Sequence, residues 1–198
     1  FSKKSGEFVT SSYYYDKYPN WVNDWNEKKP TKQYHQQSWQ LLQPLKNYEF
    51  AKQDDQAWET KFPGFGRIFP HAYGDMSDGY FNTFLTLSPA GDELTLDFTK
   101  AVVNNEKLGQ DNITDYLSVS FSSTDYVGHI FGPSSLEAED NMLRLDRTIA
   151  NLLTFIDKKV GLDNTLIVLS ADHGAAEVPE YLASLGMNTK VVTPKAWD

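Results

Sequence analysis

Two carboxylate–imidazole pairs are the residues of this chain best suited to chemistry. Asp125 stands four residues before His129, and Asp172 is followed directly by His173. A hard oxygen beside an imidazole nitrogen is a donor set for a borderline metal ion, zinc before manganese or iron. The chain has no cysteine, so thiolate sites and disulfides are excluded and any metal must be held by carboxylate and imidazole. Gly128 would let a tight turn aim Asp125 and His129 at one ion. Asp172 and His173 would point to opposite faces of a regular strand. They serve one ion only if the strand has already ended, as Gly174-Ala175-Ala176 suggests. Either pair alone reads more readily as a polar loop than as a metal site. Two such pairs at successive strand ends point to a metal site.

The elements that would position them follow from periodicity. Residues 116–121 alternate, with Leu117, Val119 and Phe121 on one face, and predict a strand leading into a loop over 122–133. Ser134 and Glu137 form a capping box that opens a helix running to about Val160. Met142, Leu145, Ile149, Leu152, Leu153, Ile156 and Val160 would make its apolar stripe. Residues 165–171 are continuously apolar, as in a parallel strand covered on both faces. Strand, helix and strand make a right-handed βαβ unit, and ligands of open α/β sheets bind beyond the carboxyl ends of the strands. The acidic run Glu137-Ala138-Glu139-Asp140 reads as favourable charge at a helix N-terminus. Asp146 and Arg147 read as surface residues.

Upstream, a turn at 88–91 precedes a helix over 92–108, with Leu94, Phe98, Ala101, Val102 and Leu108 facing inward and Gly109 as its stop. Residues 1–80 form an aromatic-rich, irregular cap or elaboration, and residues 81–198 part of the metal-binding α/β core. Within the cap, 8–15 predicts a strand, 19–27 a short helix opened by Pro19 with Trp21 and Trp25 on one face, and 32–42 a second short helix. His35 and His71 read as solvated or packing residues. Near the end, a short helix over 180–185 precedes a possible strand start at 190–193.

The formal charge of −9 over 198 residues disfavours a nucleic-acid polymer as partner. No apolar run approaches the roughly 20 residues of a membrane span. The first residue is Phe1, so an excised or processed piece is expected.

The stretch Ser122-Ser123-Thr124-Asp125-Tyr126-Val127-Gly128-His129-Ile130-Phe131-Gly132-Pro133 resembles the D-x-x-G-H-x-x-G-P signature of the alkaline phosphatase superfamily, in its nucleotide pyrophosphatase/phosphodiesterase branch. Ser170-Ala171-Asp172-His173-Gly174 is similar to that superfamily's second metal motif. The wording before Asp125, the segment from Phe8 to Trp25 and Lys61-Phe62-Pro63-Gly64 resemble most the single-chain, phosphate-irrepressible alkaline phosphatases of the bacterial envelope.

The resemblance implies a portion of an alkaline-phosphatase-like parallel-sheet core with helices on both faces. It implies two zinc ions, with Asp125 and His129 on one and Asp172 and His173 on the other. Each zinc would be completed by a ligand this chain lacks: a histidine downstream and an aspartate upstream. The Thr or Ser nucleophile, an asparagine and a Lys/Arg pair that contact phosphate would also lie upstream of Phe1. The implied reaction is hydrolysis of a phosphate monoester through a covalent phospho-enzyme, in an exported or periplasmic protein, with the fragment itself inactive. A phosphodiesterase of the same branch is the alternative. A sulfatase or phosphomutase relative shares the Asp-His theme, but its fit to the Gly-Pro spacing is poorer. From a different class, a non-catalytic module could hold a partner or glycan on an exposed Trp21/Trp25/Trp39 surface.

Overall fold

Proline at a first-turn position and a serine cap set the starts of the two long helices that carry the chain. In a computed structural model that describes residues 1–192, α3 (Pro89–Asn105) and α5 (Leu136–Lys159) pack together. A shorter helix, α4 (Ser123–Phe131), lies against both. Pro89 opens α3 three residues earlier than expected, because its fixed φ and missing N–H suit the first helical position. Residues 88–91 are therefore not a separate turn. On α3, Leu94 is fully buried and Phe98 half-buried as expected, but Leu96 and Val103 are buried too, so its covered face is wider than the expected stripe. The helix α5 is capped by Ser135, whose Oγ accepts from Ala138 N at 3.0 Å. The expected cap, Ser134, instead donates to Glu177 Oε1 at 2.6 Å.

Three further α-helices, three short 3-10 turns and one small sheet complete the regular elements of the described residues: α1 (Asn20–Glu27), α2 (Phe81–Thr86), α6 (Pro179–Ser184), and β1 (Ser38–Trp39) paired antiparallel with β2 (His71–Ala72). The core forms where Trp39 and Phe65 meet Phe84 of α2, Leu94 of α3, and Val127 and Phe131 of α4. Each such side chain is worth about 1.5–3 kcal/mol of burial. Among the described residues no helix is long and apolar enough to cross a membrane.

Several expected elements form differently. Residues 8–15 are not a strand. Phe8 stacks on Phe98 with ring centroids 4.0 Å apart, and the Asn26 side chain takes both Phe8 backbone groups, N at 2.9 Å and O at 3.0 Å. One amide side chain thus does the hydrogen bonding that a neighbouring strand would have done. The expected helix over 32–42 is a 3-10 turn at Pro30–Tyr34 followed by β1. Gln36 interrupts it in the left-handed region (φ 55), with its N–H bonded to Gly74 O.

The expected parallel strands at 116–121 and 165–171 carry no ladder. No backbone–backbone hydrogen bond involves residues 116–121 or 166–170 within the described residues, and Leu166, Val168 and Leu169 are more than four-fifths exposed. The expected βαβ unit is therefore not formed among the described residues, where α5 stands between two unpaired segments. A parallel strand is made by its neighbours, and none lies beside these segments among the described residues. The same absence leaves the stripe of α5 half-covered, with Met142 exposed. Lys190 to Val192 form no strand, and Thr193 lies outside the described residues.

The acidic run at the start of α5 is not solvated charge. Glu137 and Asp140 are fully buried, and Glu139 accepts from the N–H groups of Glu49 and Phe50. Glu137 Oε1 lies 3.0 Å from His71 Nε2, while His71 Nδ1 donates to Phe65 O at 3.1 Å. Burial pushes the Glu137 carboxyl up to about 8 and the His71 imidazole down to about 4. The pair is therefore neutral, with a Glu137 O–H donating to the imidazole Nε2. Glu59, also buried, is raised to about 8 by desolvation and by Glu137.

A carboxyl whose folded pKa is raised contributes stability that is fully present below the unfolded value and lost as pH rises through the folded one. The His71 term runs the other way, growing as pH rises from about 4 toward 6.5. Between pH 6.5 and 8 the His71 term is complete while the raised Glu137 and Glu59 carboxyls both lose theirs, so stability falls. Glu137→Gln, which keeps a donor toward His71, should lessen that fall and leave the Glu59 part. Urea titrations of both proteins at pH 6.5 and 8 check it, and an unchanged pH slope would contradict the neutral pair.

Candidate metal centre

The residues of the first motif sit on a helix, not in a loop. Val127 and Phe131, fully buried at i and i+4, hold α4 on the core. That leaves Asp125 and His129, also four apart, on its outer face. Gly128 has ordinary helical geometry, and a Cβ there would meet nothing within 4 Å, so it is not the turn the pattern suggested. The signal for a helix was present: Ser122 precedes Asp125 by three, a start signature, and Val127, Ile130 and Phe131 are spaced for one face. Two glycines and the short length obscured it.

The first turn of α4 is held from two sides. Asp92 of α3, 2% exposed, accepts from Ser123 N at 3.1 Å through Oδ1. Asn141 of α5 donates to Thr124 Oγ1 at 2.9 Å. At the other end, Gly132 (φ 95) has Val178 Cγ2 2.8 Å from the place of a Cβ, and Ser134 bonds Glu177. These contacts dock the segment after His173 onto the α4–α5 junction. They bring the second motif to the first.

Asp125 Oδ1 lies 3.5 Å from His129 Nε2 and 3.5 Å from His173 Nε2, while His173 Nε2 is 3.8 Å from Asp172 Oδ2. All four side chains face solvent, Asp172 most of all. His173 Nδ1 donates to Gly174 O at 2.9 Å, which fixes the proton there and leaves Nε2 as the free nitrogen of the neutral ring. The Gly174 carbonyl, then Asp172, then Asp125 raise the His173 pKa above the ordinary histidine value.

These separations exceed a good N–H···O hydrogen bond. They are close to the span of about 3.3 Å between two ligands each about 2.05 Å from a tetrahedral zinc. The donor types and spacing therefore fit zinc pairwise. No set of three acidic, histidine or cysteine groups among the described residues is arranged to hold a metal ion. Nor does the geometry sort the pairs, since His173 stands as near Asp125 as His129 does.

The other histidines are elsewhere. His71 is buried in the core, and His35 is half-exposed beside Asp75, both in packing or surface roles. Thr124 is tied to Asn141. Trp21, Trp25 and Trp39 form no open platform. Trp39 is 2% exposed, and Trp21 and Trp25 pack on Phe98.

The family model of type I phosphodiesterases and nucleotide pyrophosphatases matches residues 4–196. The chain belongs to that family, within the alkaline phosphatase superfamily. It is 41% identical over 179 residues to alkaline phosphatase PhoV of Synechococcus elongatus, covering 90% of this chain and 32% of that protein. It is 40% identical over 191 residues to alkaline phosphatase PafA of Elizabethkingia meningoseptica, covering 96% and 35%. A crystal structure of a PafA variant superposes with a TM-score of 0.90 at 39% identity, covering 99% of this chain and 38% of that one. The described residues thus have the fold of part of an alkaline phosphatase, and the chain spans about a third of the length of these curated relatives.

Proposed function

We propose that this chain is the metal-binding portion of a two-zinc hydrolase of phosphate monoesters. Asp125 and His129 serve one zinc, and Asp172 and His173 the other. The observation that carries the reading is the placement of Asp125 Oδ1 at 3.5 Å from the Nε2 atoms of both His129 and His173, which are 44 residues apart in sequence but docked together. When bound, a zinc pair supplies charge neutralisation at the attacking and leaving oxygens of an in-line phosphoryl transfer. The chain's own residues prepare for it. The helix α4 presents Asp125 and His129 on one face, and the Gly174 carbonyl holds the His173 ring in the tautomer whose Nε2 is free.

The nucleophile and the remaining ligands are expected outside these 198 residues, so the chain alone should be inactive. We also propose residues 1–80 as a cap on the core of 81–198, and an exported or periplasmic location. The alkaline phosphatase relatives favour monoester over diester hydrolysis, and the name of the matching family keeps the diester as the second reading. The packing of Trp21, Trp25 and Trp39 weighs against an aromatic binding module.

Elemental analysis of the intact protein should find two zinc ions per chain, and an aryl monophosphate should be hydrolysed faster than the matching diester. An intact protein without zinc would refute the reading. A diester preference would refute its monoester part.

A further inference from the structure

We propose that Asp92 is a positioning residue for the metal centre, holding the first turn of α4 so that Asp125 and His129 project correctly. The inference rests on the zinc reading above. A helix leaves its first N–H groups without intrahelical partners. The Ser122 side chain makes no capping hydrogen bond to α4. The acceptor comes from another helix instead, Asp92 Oδ1 at 3.1 Å from Ser123 N.

That carboxyl is 2% exposed, and its Oδ2 has no partner. Burying such a group is unfavourable unless something offsets it, and the positive end of a helix is the offset available here. Gly91 allows the approach, because a Cβ there would stand 2.8 Å from Ser123 Oγ and 3.0 Å from Leu85 O. Ser123 is two residues before Asp125, so a slip or fraying of this turn moves the ligand directly. Asn141 steadies the same turn from α5 but bonds the Thr124 hydroxyl, leaving the backbone to Asp92.

Two readouts on the intact protein test the clamp: amide hydrogen exchange without metal, and zinc affinity by chelator competition. Asp92→Leu removes the acceptor at similar size. Exchange should accelerate across Ser123–Phe131 but not across Leu136–Lys159. Zinc affinity should fall about 10–100-fold, the range for groups that orient metal ligands. Asp92→Asn keeps an acceptor oxygen and should stay near wild type in both. Should Asp92→Leu not fold, Asp92→Glu carries the acceptor one methylene out of place, and the same two changes are expected of it.

The proposal is overturned if the leucine variant, or the glutamate variant in its place, leaves α4 exchange or zinc affinity unchanged. It is also overturned if the asparagine variant loses as much. A wild-type protein that binds no zinc would refute the functional reading, while the exchange experiment would still decide the clamp.

Discussion

Asp125→Ala in the intact protein is expected to lower phosphatase activity by at least about 10³-fold and to reduce bound zinc below two per chain. Metal stabilisation of transition-state charge is worth several kcal/mol, and each 1.36 kcal/mol is tenfold in rate. Among the described residues Asp125 is the one carboxylate that stands near both His129 and His173, so its loss should disturb both pairs. Stability should hardly change. The side chain is about half exposed, and surface ion pairs of this kind add little. The expected signature is therefore lost activity and zinc with an almost unchanged melting temperature. Full activity and full zinc in the variant would remove Asp125 from the site.

Asp140→Ala is expected to have the largest effect on stability, about 3–5 kcal/mol, as when one partner of a buried charged network is removed. That is a large part of the 5–15 kcal/mol typical of a native domain. The carboxylate is fully buried and accepts from Trp39 Nε1 at 2.6 Å, Leu42 N at 2.7 Å, the Tyr48 hydroxyl and Arg144 Nε at 2.7 Å. Burial and the Asp140 hydrogen bond push the Tyr48 hydroxyl up to about 12, so it remains a donor. Alanine would strand Trp39 Nε1 and Tyr48 as buried donors without an acceptor. These contacts join the aromatic-rich first part of the chain to α5, so that part should loosen first. Urea denaturation of the intact protein followed by tryptophan fluorescence would show it. Asp146→Ala, on the exposed side of the same helix, is the control. Equal effects of the two would return Asp140 to the expected role of favourable charge at a helix N-terminus.

Asp140 also shows where reading along the sequence stops. Its place near a helix N-terminus was legible, but its burial was not. Three of its four donors come from residues 39, 42 and 48, about a hundred positions away, and no local pattern encodes that meeting. The opposite case is the helix ending at Lys159: capping serines, three-and-four spacing and a closing glycine are all local, and the boundaries differed from expectation by about one residue. The apolar runs at 116–121 and 165–171 fall between. Their composition suits strands, but a ladder depends on neighbours, and within the described residues they have none. The helix α4 was missed because Gly128 and Gly132 looked like loop punctuation, while what stabilises its start, Asp92, lies 31 residues upstream on a different helix.

The sequence by itself determined the chemistry on offer: two Asp/His pairs, no thiolate, and the motif spelling that places the chain in its family. Residue types and short spacings are properties of the chain alone. Only the tertiary structure decided that Asp125 and His129 share a helix face, that His173 comes within 3.5 Å of Asp125, and that Asp92, Asn141 and Glu177 hold the parts in place. Those facts depend on packing between segments distant in sequence, and burial there, not residue type, sets what each side chain does.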